Sequence, residues 1–447
     1  MRLSSCFASL LPRVLTLACC TAAAASQDSP ELVRTRVQQE YPSLFEIYKD
    51  LHLHPELSFQ EKRSAAHVAD QLRKAGYEVT EHVGTNGVVA LLRNGGGPTV
   101  LVRSDLDGLP VKEQTGLPYA STVTTTNAQG LEVPVMHACG HDIHMTCLIG
   151  TARVLAHLRD HWRGTLILIG QPAEEAVGGA RAMLADGLFT RFPRPSFCLA
   201  LHDNAELPVG SIGYTPGYSL ANVDSVDVLI HGVGGHGAWP HKTKDPIVLA
   251  AQIILALQTI VSRETEPTEP AVVTVGSIHG GTKHNIIPDE VRLQLTVRSY
   301  SDQVREHTLE AIRRIVRGQA LSAGISEDRL PEVRVGADST PATYNDPELT
   351  ARLVKVFKTW FGDANVIQKK PVMGGEDFSE FGRVEPRIPI CMFDVGAVAQ
   401  EVLDQSKRTG KSLPSLHSPF WAPVPEPTIK TGITAMSAAV LELMAPK

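Results

Sequence analysis

Residues 165–203, TLILIGQPAEEAVGGARAMLADGLFTRFPRPSFCLALHD, decide how the chain is read. TLILIGQ and FCLAL are short apolar runs of strand character, and ARAMLADGLF between them has helical spacing. Strands and helices alternating at this spacing point to an α/β fold with a mostly parallel sheet. Each run ends in a polar cluster: Glu174 and Glu175 after the first, His202 and Asp203 after the second. In open α/β sheets ligands gather outside the carboxyl ends of the strands, so these groups should converge on one crevice.

Outward toward the N-terminus, the pattern predicts helices over Pro30 to Leu53 and Glu61 to Ala75, the second stopped by Gly76. Strand-like YEVTEHV, VVALLR and TVLVRSDLD follow, the last placing Asp105 and Asp107 at another strand end, and a helix runs from about Asp142 to His161. Outward toward the C-terminus, the segment from Ser219 to Asp338 changes character. Its order is β-α-β-β-α-β, a ferredoxin-like arrangement large enough to be its own domain. The runs IPICMFDVGA and LHSPFW then resume ligand-bearing elements. The expected organisation is therefore a catalytic domain over 28–216 and 339–447, interrupted by an inserted domain over 217–338.

The chain has 447 residues, 43% hydrophobic and 20% charged, an ordinary globular composition. Arg2, an apolar stretch through Leu10, Leu11, Val14, Leu15 and Leu17, and the small-residue run TAAAAS have the layout of a secretory signal peptide over 1–25. That stretch is too short to span a bilayer. An exported protein, periplasmic or secreted, is expected, with lipid attachment at Cys19 or Cys20 a weaker alternative. Net charge is 42 minus 48, or −6, and loss of Arg2 and Arg13 with the leader takes it to −8. There is no Lys/Arg run for nucleic acid. Cys139, Cys147, Cys198 and Cys391 remain after the leader, too scattered for a disulfide framework.

In HACGHDIH (137–144), Cys139 and His141 lie two apart, and Gly140 between them lets both face one point. Thiolate and imidazole are natural ligands for zinc or another late divalent ion. Glu174 and Glu175 are adjacent carboxylates that repel unless a cation neutralises them or one is protonated. Cys139, His141, Glu175, His202 and the distant His417 are too many ligands for one tetrahedral zinc and suit two ions. Such a pair can share a water, lower its pKa toward roughly 7 and grip a substrate carbonyl. Neighbours on an extended chain point in opposite directions, so Glu175 is expected to face metal while Glu174 faces the water as general base. Asp107 is expected to orient a ligating imidazole.

HLHPELSFQE (52–61), SDLDGLP (104–110), HACGHDIH (137–144), QPAEE (171–175), GGEDFS (374–379) and LHSP (416–419) together resemble the M20 metallopeptidases. Within them the chain is similar to the branch of hippurate hydrolases, auxin-conjugate hydrolases and N-acyl-amino-acid amidohydrolases. The resemblance implies a dinuclear catalytic domain, loaded with zinc, manganese, cobalt or nickel, and an inserted lid that also forms a homodimer. It implies metal ligands at Cys139, His141, Glu175, His202 and His417, and a general base at Glu174. From the lid it implies a substrate-facing histidine at His236 (GGHGAWPH), often delivered across the dimer, an asparagine at Asn285 (HNIIP), and Arg298 (VRS) gripping a substrate carboxylate.

There are departures. Asp105 stands where other branches have a ligating histidine and is not counted as a ligand. TVTTTNAQGLEVP (122–134) is longer than the branch carries, and Met145 replaces an expected threonine; both are expected at the crevice rim, as are Trp239 and Trp421. His52 and His54 are expected to be structural, while His137 and His144 are either supports of the ligands or bystanders. The predicted activity is hydrolysis of the amide bond of an N-acyl amino acid, releasing a carboxylate and a free amino acid. The alternatives are an exopeptidase or dipeptidase with the same site, and a non-catalytic binding homologue, which would be expected to have lost ligands or Glu174.

Overall fold

The computed structural model describes residues 29–446, so the expected leader and its cysteines lie outside the described residues. Helices α1 (Ser29–Leu53) and α2 (Lys62–Lys74) precede strands β1 (Glu78–Val83), β2 (Gly87–Asn94) and β3 (Thr99–Asp105). Helix α3 (His141–His157), β4 (Gly164–Gln171), the short helix α4 (Gly179–Ala185), β5 (Phe197–Pro208) and β6 (Ile212–Tyr214) follow. Next come β7 (Asn222–His231), α5 (Pro246–Thr259), β8 (Ala271–Gly280), β9 (Glu290–Ser299), α6 (Asp302–Ser322) and β10 (Glu332–Val335). Then α7 (Pro347–Phe361), β11 (Val366–Gln368), β12 (Ile390–Val398) and α8 (Pro425–Leu443) complete the main elements.

The large sheet has the order β1-β2-β4-β3-β5-β12-β6-β11. Its centre is parallel, β4 with β3, β3 with β5 and β5 with β12, and antiparallel pairs lie at β1–β2–β4 and β12–β6. Alternate residues of a strand point to opposite faces, and both faces are covered. Val100 and Val102 join a core with Leu44, Tyr48, Ile149 and Ile433 from the long helices, whereas Leu101 joins Met183, Leu188, Phe378 and Phe381. Each such side chain, fully buried, contributes about 1.5–3 kcal/mol of transfer free energy.

Register places the site. Asp105 pairs with Gln171, and the pairing of Arg103 with Ala200 sets His202 level with Asp105. Three neighbouring strands thus bring their polar residues to one line. Helices α3 and α8 pack closely over this sheet because each offers a glycine where the other projects a side chain. A Cβ on Gly150 would lie 2.2 Å from Ile433 Cδ1, and one on Gly432 would lie 2.5 Å from Cys147 Sγ.

Residues 222–335 build a second sheet, order β8-β9-β7-β10, antiparallel throughout, with the β-α-β-β-α-β connectivity read from the sequence. Its core is separate: Leu249, Ile253 and Leu257 of α5 and Ile312 and Val316 of α6 pack on Val228 and Leu293. Helix α5 is capped by Asp245 Oδ1, which accepts from Ile247 N at 2.9 Å. With the turn that follows, Pro246–Glu264 is long and apolar enough to cross a membrane by length and composition, yet its inner stripe is part of this core.

Local differences from the sequence reading have simple causes. The helix read over ARAMLADGLF is split by Gly187, whose φ of 85° ends one helix and starts another. TVTTTNAQGLEVP folds as a hairpin of Thr124–Thr126 against Glu132–Pro134, its tip closed by Asn127 Oδ1 accepting from Gln129 N and Leu131 N, each at 3.0 Å. Met145 is completely buried in the core under α3, so it is not at the crevice rim as expected; as a residue of the helix that covers the sheet, it packs inward.

Gly150→Val is expected to destabilise the protein by about 1–3 kcal/mol through overpacking, because Ile433 is itself fully buried and has nowhere to move. Urea unfolding measures this, and an unchanged midpoint would mean that α3 and α8 separate freely.

Candidate metal centre

Cys139 and His141 flank Gly140, which has a φ of 75° and caps the N-terminus of α3. Glycine is required there twice over. The left-handed backbone disfavours a side chain, and an added Cβ would lie 2.3 Å from Asp203 Oδ2. The Asp203 carboxylate fills that space and faces His202 Nδ1 at 3.2 Å and Trp421 Nε1 at 3.2 Å. Trp421 is therefore a buried support and not a rim residue.

His202 and His141 are each held by one ring nitrogen, leaving the other for the centre. His202 Nδ1 lies 2.7 Å from the Asp203 carbonyl, and its Nε2 stands 3.5 Å from Cys139 Sγ. His141 Nδ1 lies 2.8 Å from the Asp107 carbonyl and 3.3 Å from Asp107 Oδ1, while its Nε2 has no hydrogen-bond partner. Asp107 therefore lies against the His141 ring, and its Oδ2 accepts from Glu175 N at 3.0 Å. His417 sits on a left-handed turn with φ 67°, its Nε2 3.3 Å from Cys139 Sγ and 3.4 Å from Glu175 Oε1.

All five expected ligands therefore meet. Cys139, His141 and His202 form one group with ligand atoms within 4.8 Å of one another, and Cys139, Glu175 and His417 form a second. Cys139 Sγ is common to both. Glu174 and Glu175 depart from the expectation that neighbours face opposite ways: Glu174 Oε2 and Glu175 Oε1 both lie 4.0 Å from His141 Nε2. The chain is not extended there, because Ala173 and Val177 have φ of 48° and 53° and Val177 N bonds back to the Glu174 carbonyl at 2.7 Å.

These donors fit divalent cations. His141 Nε2 and Glu175 Oε1 are buried without hydrogen-bond partners, and sulfur, imidazole and carboxylate together suit zinc and its neighbours. Burial, with the charges of Glu175, Glu174, Asp203 and Asp105, pushes the Cys139 thiol well above its usual range; a nearby cation would reverse that. Burial and the charges of Glu376, Glu175 and Asp377 likewise push the Glu174 carboxyl well above the ordinary range.

The residues around the centre carry further roles that sequence reasoning did not assign. Arg103 is buried among Asp105, Glu376 and Asp377, at 2.6, 2.8 and 3.3 Å. GGEDFS thus supplies carboxylates to a buried cation, and Asp377 Oδ1 also accepts from Gln171 Nε2 at 2.6 Å, just before the Glu174 loop. Asp105 has one oxygen on Arg103 and the other 2.7 Å from His144 Nδ1, and it stands with His141 and His144 in a further group whose donor atoms lie within 4.8 Å of one another. His144 Nε2 accepts from Asp203 N at 2.9 Å, which makes it a support. His137 is buried with neither ring nitrogen hydrogen-bonded, and burial lowers its pKa to about 4. His52 is structural: burial opposes its charge, but hydrogen bonds to Asp142 at 2.6 Å and Glu113 at 3.1 Å raise its pKa to about 10. His54 is exposed, with Nδ1 2.7 Å from the Asp50 carbonyl.

Among the described residues, the three residues expected from the inserted domain make no hydrogen bond to this cluster. His236 and Asn285 are close to each other, because residues 235–236 pair with 286–287 and Gly237 N donates to the Asn285 carbonyl at 2.9 Å. Among the described residues no hydrogen bond joins either to the ligands. Both are exposed, and Trp239, also exposed, lies with its ring 5.0 Å from that of His236. Arg298 Nη1 donates to the Met373 carbonyl at 2.7 Å, immediately before GGEDFS, and no carboxylate among the described residues pairs with it.

Gly140→Ala is expected to weaken metal binding by about 10–100-fold, since the methyl group must displace the Asp203 carboxylate that positions His202. Competition against a chromogenic chelator measures it, and undiminished affinity would remove Asp203 from that role.

The model of Peptidase family M20/M25/M40 matches residues 101–407. Thermostable carboxypeptidase 1 of Saccharolobus solfataricus is 36% identical over 80% of this chain and 88% of its own length. Hippurate hydrolase of Campylobacter jejuni is 38% identical over 75% and 84%. The crystal structure of Bacillus subtilis YXEP, described as a dinuclear metal binding peptidase from the M20 family, superposes with a TM-score of 0.72 at 28% identity, covering 91% of this chain and 99% of that one.

Proposed function

The chain belongs to peptidase family M20/M25/M40, and from that premise we propose that it hydrolyses the amide bond of N-acyl amino acids, releasing a carboxylic acid and a free amino acid. The observation that carries this reading is the convergence of Cys139, His141, Glu175, His202 and His417 on one crevice with the carboxyl of Glu174 beside them. Two divalent ions, of zinc, manganese, cobalt or nickel, would be held by Cys139, His141 and His202 and by Cys139, Glu175 and His417. When bound, they supply Lewis acidity toward a substrate carbonyl and an attacking water.

The chain's own groups do the rest. Glu174, with its carboxyl raised, accepts the proton of the attacking water and delivers it to the leaving nitrogen. Asp107 and Asp203 hold His141 and His202 in the required orientation. Arg298, without an acidic partner among the described residues, is suited to bind the substrate carboxylate, with His236 and Asn285 closing over the scissile group. A metallo-exopeptidase is the second reading, favoured by the likeness to an enzyme named as a carboxypeptidase. Both substrates end in a carboxylate and share the bond chemistry, so they differ only in what flanks it. In either case the partner is a small molecule.

An amine-release assay across N-acetyl, N-benzoyl and longer N-acyl amino acids beside dipeptides separates the readings, and turnover of dipeptides alone would favour the exopeptidase. Glu174→Gln is expected to lower kcat by about 10²–10⁴-fold with metal content unchanged; near-normal turnover would remove Glu174 from its role.

We propose further that the protein is a homodimer through the inserted domain. Val248 and Leu255 on the outer face of α5 are 54% and 73% exposed, and β8 pairs on one side only. An exposed apolar helix beside an unpaired edge strand is suited to meet a second copy. Leu255→Glu is expected to convert the dimer to single chains by light scattering; a wild-type protein with the mass of one chain would sink the proposal.

A further inference from the structure

The loop that carries Glu174 and Glu175 is bent into a backbone shape that its own residues disfavour. Ala173 has a φ of 48° and Val177 a φ of 53°, and such left-handed positions cost a non-glycine residue about 1–2 kcal/mol each. The Ala173 carbonyl accepts from Gly178 N and Gly179 N at 3.2 and 3.1 Å, closing the loop on itself. Its N–H is claimed by a group from a distant segment: Glu61 Oε1, at 2.7 Å.

Glu61 is completely buried. The same Oε1 accepts from Phe59 N at 2.7 Å, and Phe59 is a third left-handed residue, φ 66°. Oε2 accepts from Asn86 Nδ2 at 3.1 Å, and Asn86 also bonds the Phe59 carbonyl at 3.1 Å. One carboxylate therefore braces two strained turns at once. It is not acting as a helix cap, although it stands at the N-cap position of α2 and makes no capping bond. That task falls to Glu56, whose two oxygens accept from Arg63 N at 3.0 Å and Ser64 N at 2.8 Å.

Both braced turns lead to the centre. Ala173 immediately precedes Glu174. Ser58, beside Phe59, donates to Asp107 Oδ2 at 2.6 Å, the atom that also accepts from Glu175 N. The Phe59 ring lies over the far end of the loop, 3.0 Å from where a Cβ on Gly178 would stand.

We infer that Glu61 is a positioning residue for the reaction, holding Ala173 and Phe59 in left-handed turns so that Glu174 and Asp107 are aimed at the crevice. Its oxygens bond Phe59, Ala173 and Asn86, and it acts through those residues. Burial and the nearby Asp107 charge raise its carboxyl to about 7, so the fold tolerates an electrostatic cost at this point for the sake of the bonds. The inference rests on Glu174 as the base.

The test uses the metal-loaded full chain and the N-acyl amino acid that the wild type hydrolyses fastest. Glu61→Ala is expected to lower kcat by about 10²-fold, the scale of a misplacement near 1 Å, with KM changed by less than about 3-fold and metal content unaltered. Glu61→Gln keeps an oxygen for Phe59 and Ala173 and is expected to retain at least about a tenth of kcat. Glycine adopts a left-handed backbone without strain, so adding Ala173→Gly to Glu61→Ala is expected to restore part of the lost kcat. A wild-type kcat in Glu61→Ala, a loss that only tracks the folded fraction, or no rescue by Ala173→Gly overturns the inference. Glu174→Gln assayed alongside separates the two readings: if it is active the base assignment fails, and if it is inactive while Glu61→Ala is not, only the brace fails.

Discussion

Parallel pairing of β3 with β4 and β5 sets Asp105, Gln171 and His202 level, and the centre depends on that register. A slip of one residue would turn His202 to the opposite face of the sheet. The strands that carry this register are covered on both sides by helices, so their line is rigid where the ligands begin. What lies beyond the strand ends is irregular chain, and there the geometry comes from tight turns at Gly140, Ala173 and His417.

Charge is the second constraint. Glu174, Glu175, Asp105, Asp107, Glu376 and Asp377 gather around the centre, and the guanidinium of Arg103 meets only three of them. Concentrating carboxylates in a buried crevice is unfavourable unless cations or protons neutralise them. The raised carboxyl of Glu174 and raised thiol of Cys139 express that imbalance in the protein by itself. A site of this kind binds divalent ions because the fold has already assembled the negative charge. The same excess suits a carboxylate that must take up a proton.

Support is layered outward from the ligands. Asp107 and Asp203 hold imidazoles; Ser58, Trp421 and His144 hold those aspartates or pack against them; and Glu61 and Gln171 hold the segments that bear them. The motifs HPELSFQE and GGEDFS, which contain no ligand, act at this outer level: one provides Ser58 and Glu61, the other Glu376 and Asp377. The inserted domain has its own core, with the strand of His236 paired beside Asn285 at its surface, and it reaches these layers where Arg298 donates to the Met373 carbonyl just before GGEDFS.

Ligand types were legible in the sequence because cysteine, histidine and glutamate carry the donor atoms that late divalent ions prefer, and strand ends are visible as apolar runs breaking into polar residues. The order β-α-β-β-α-β was legible for a related reason, since hydrophobic period separates strand from helix locally. Orientation was not. The shared direction of Glu174 and Glu175 contradicts the alternation of an extended chain, because a left-handed Ala173 is imposed by a carboxylate more than a hundred residues away. Met145 and Trp421 looked like rim residues and are buried. The sequence by itself determined which chemical groups are present and on which elements they sit, since both follow from residue type and local spacing. Only the tertiary structure decided which way those groups point and what holds them, because a turn held against its own preference, or a carboxylate filling the space beside Gly140, exists only when distant segments are packed together.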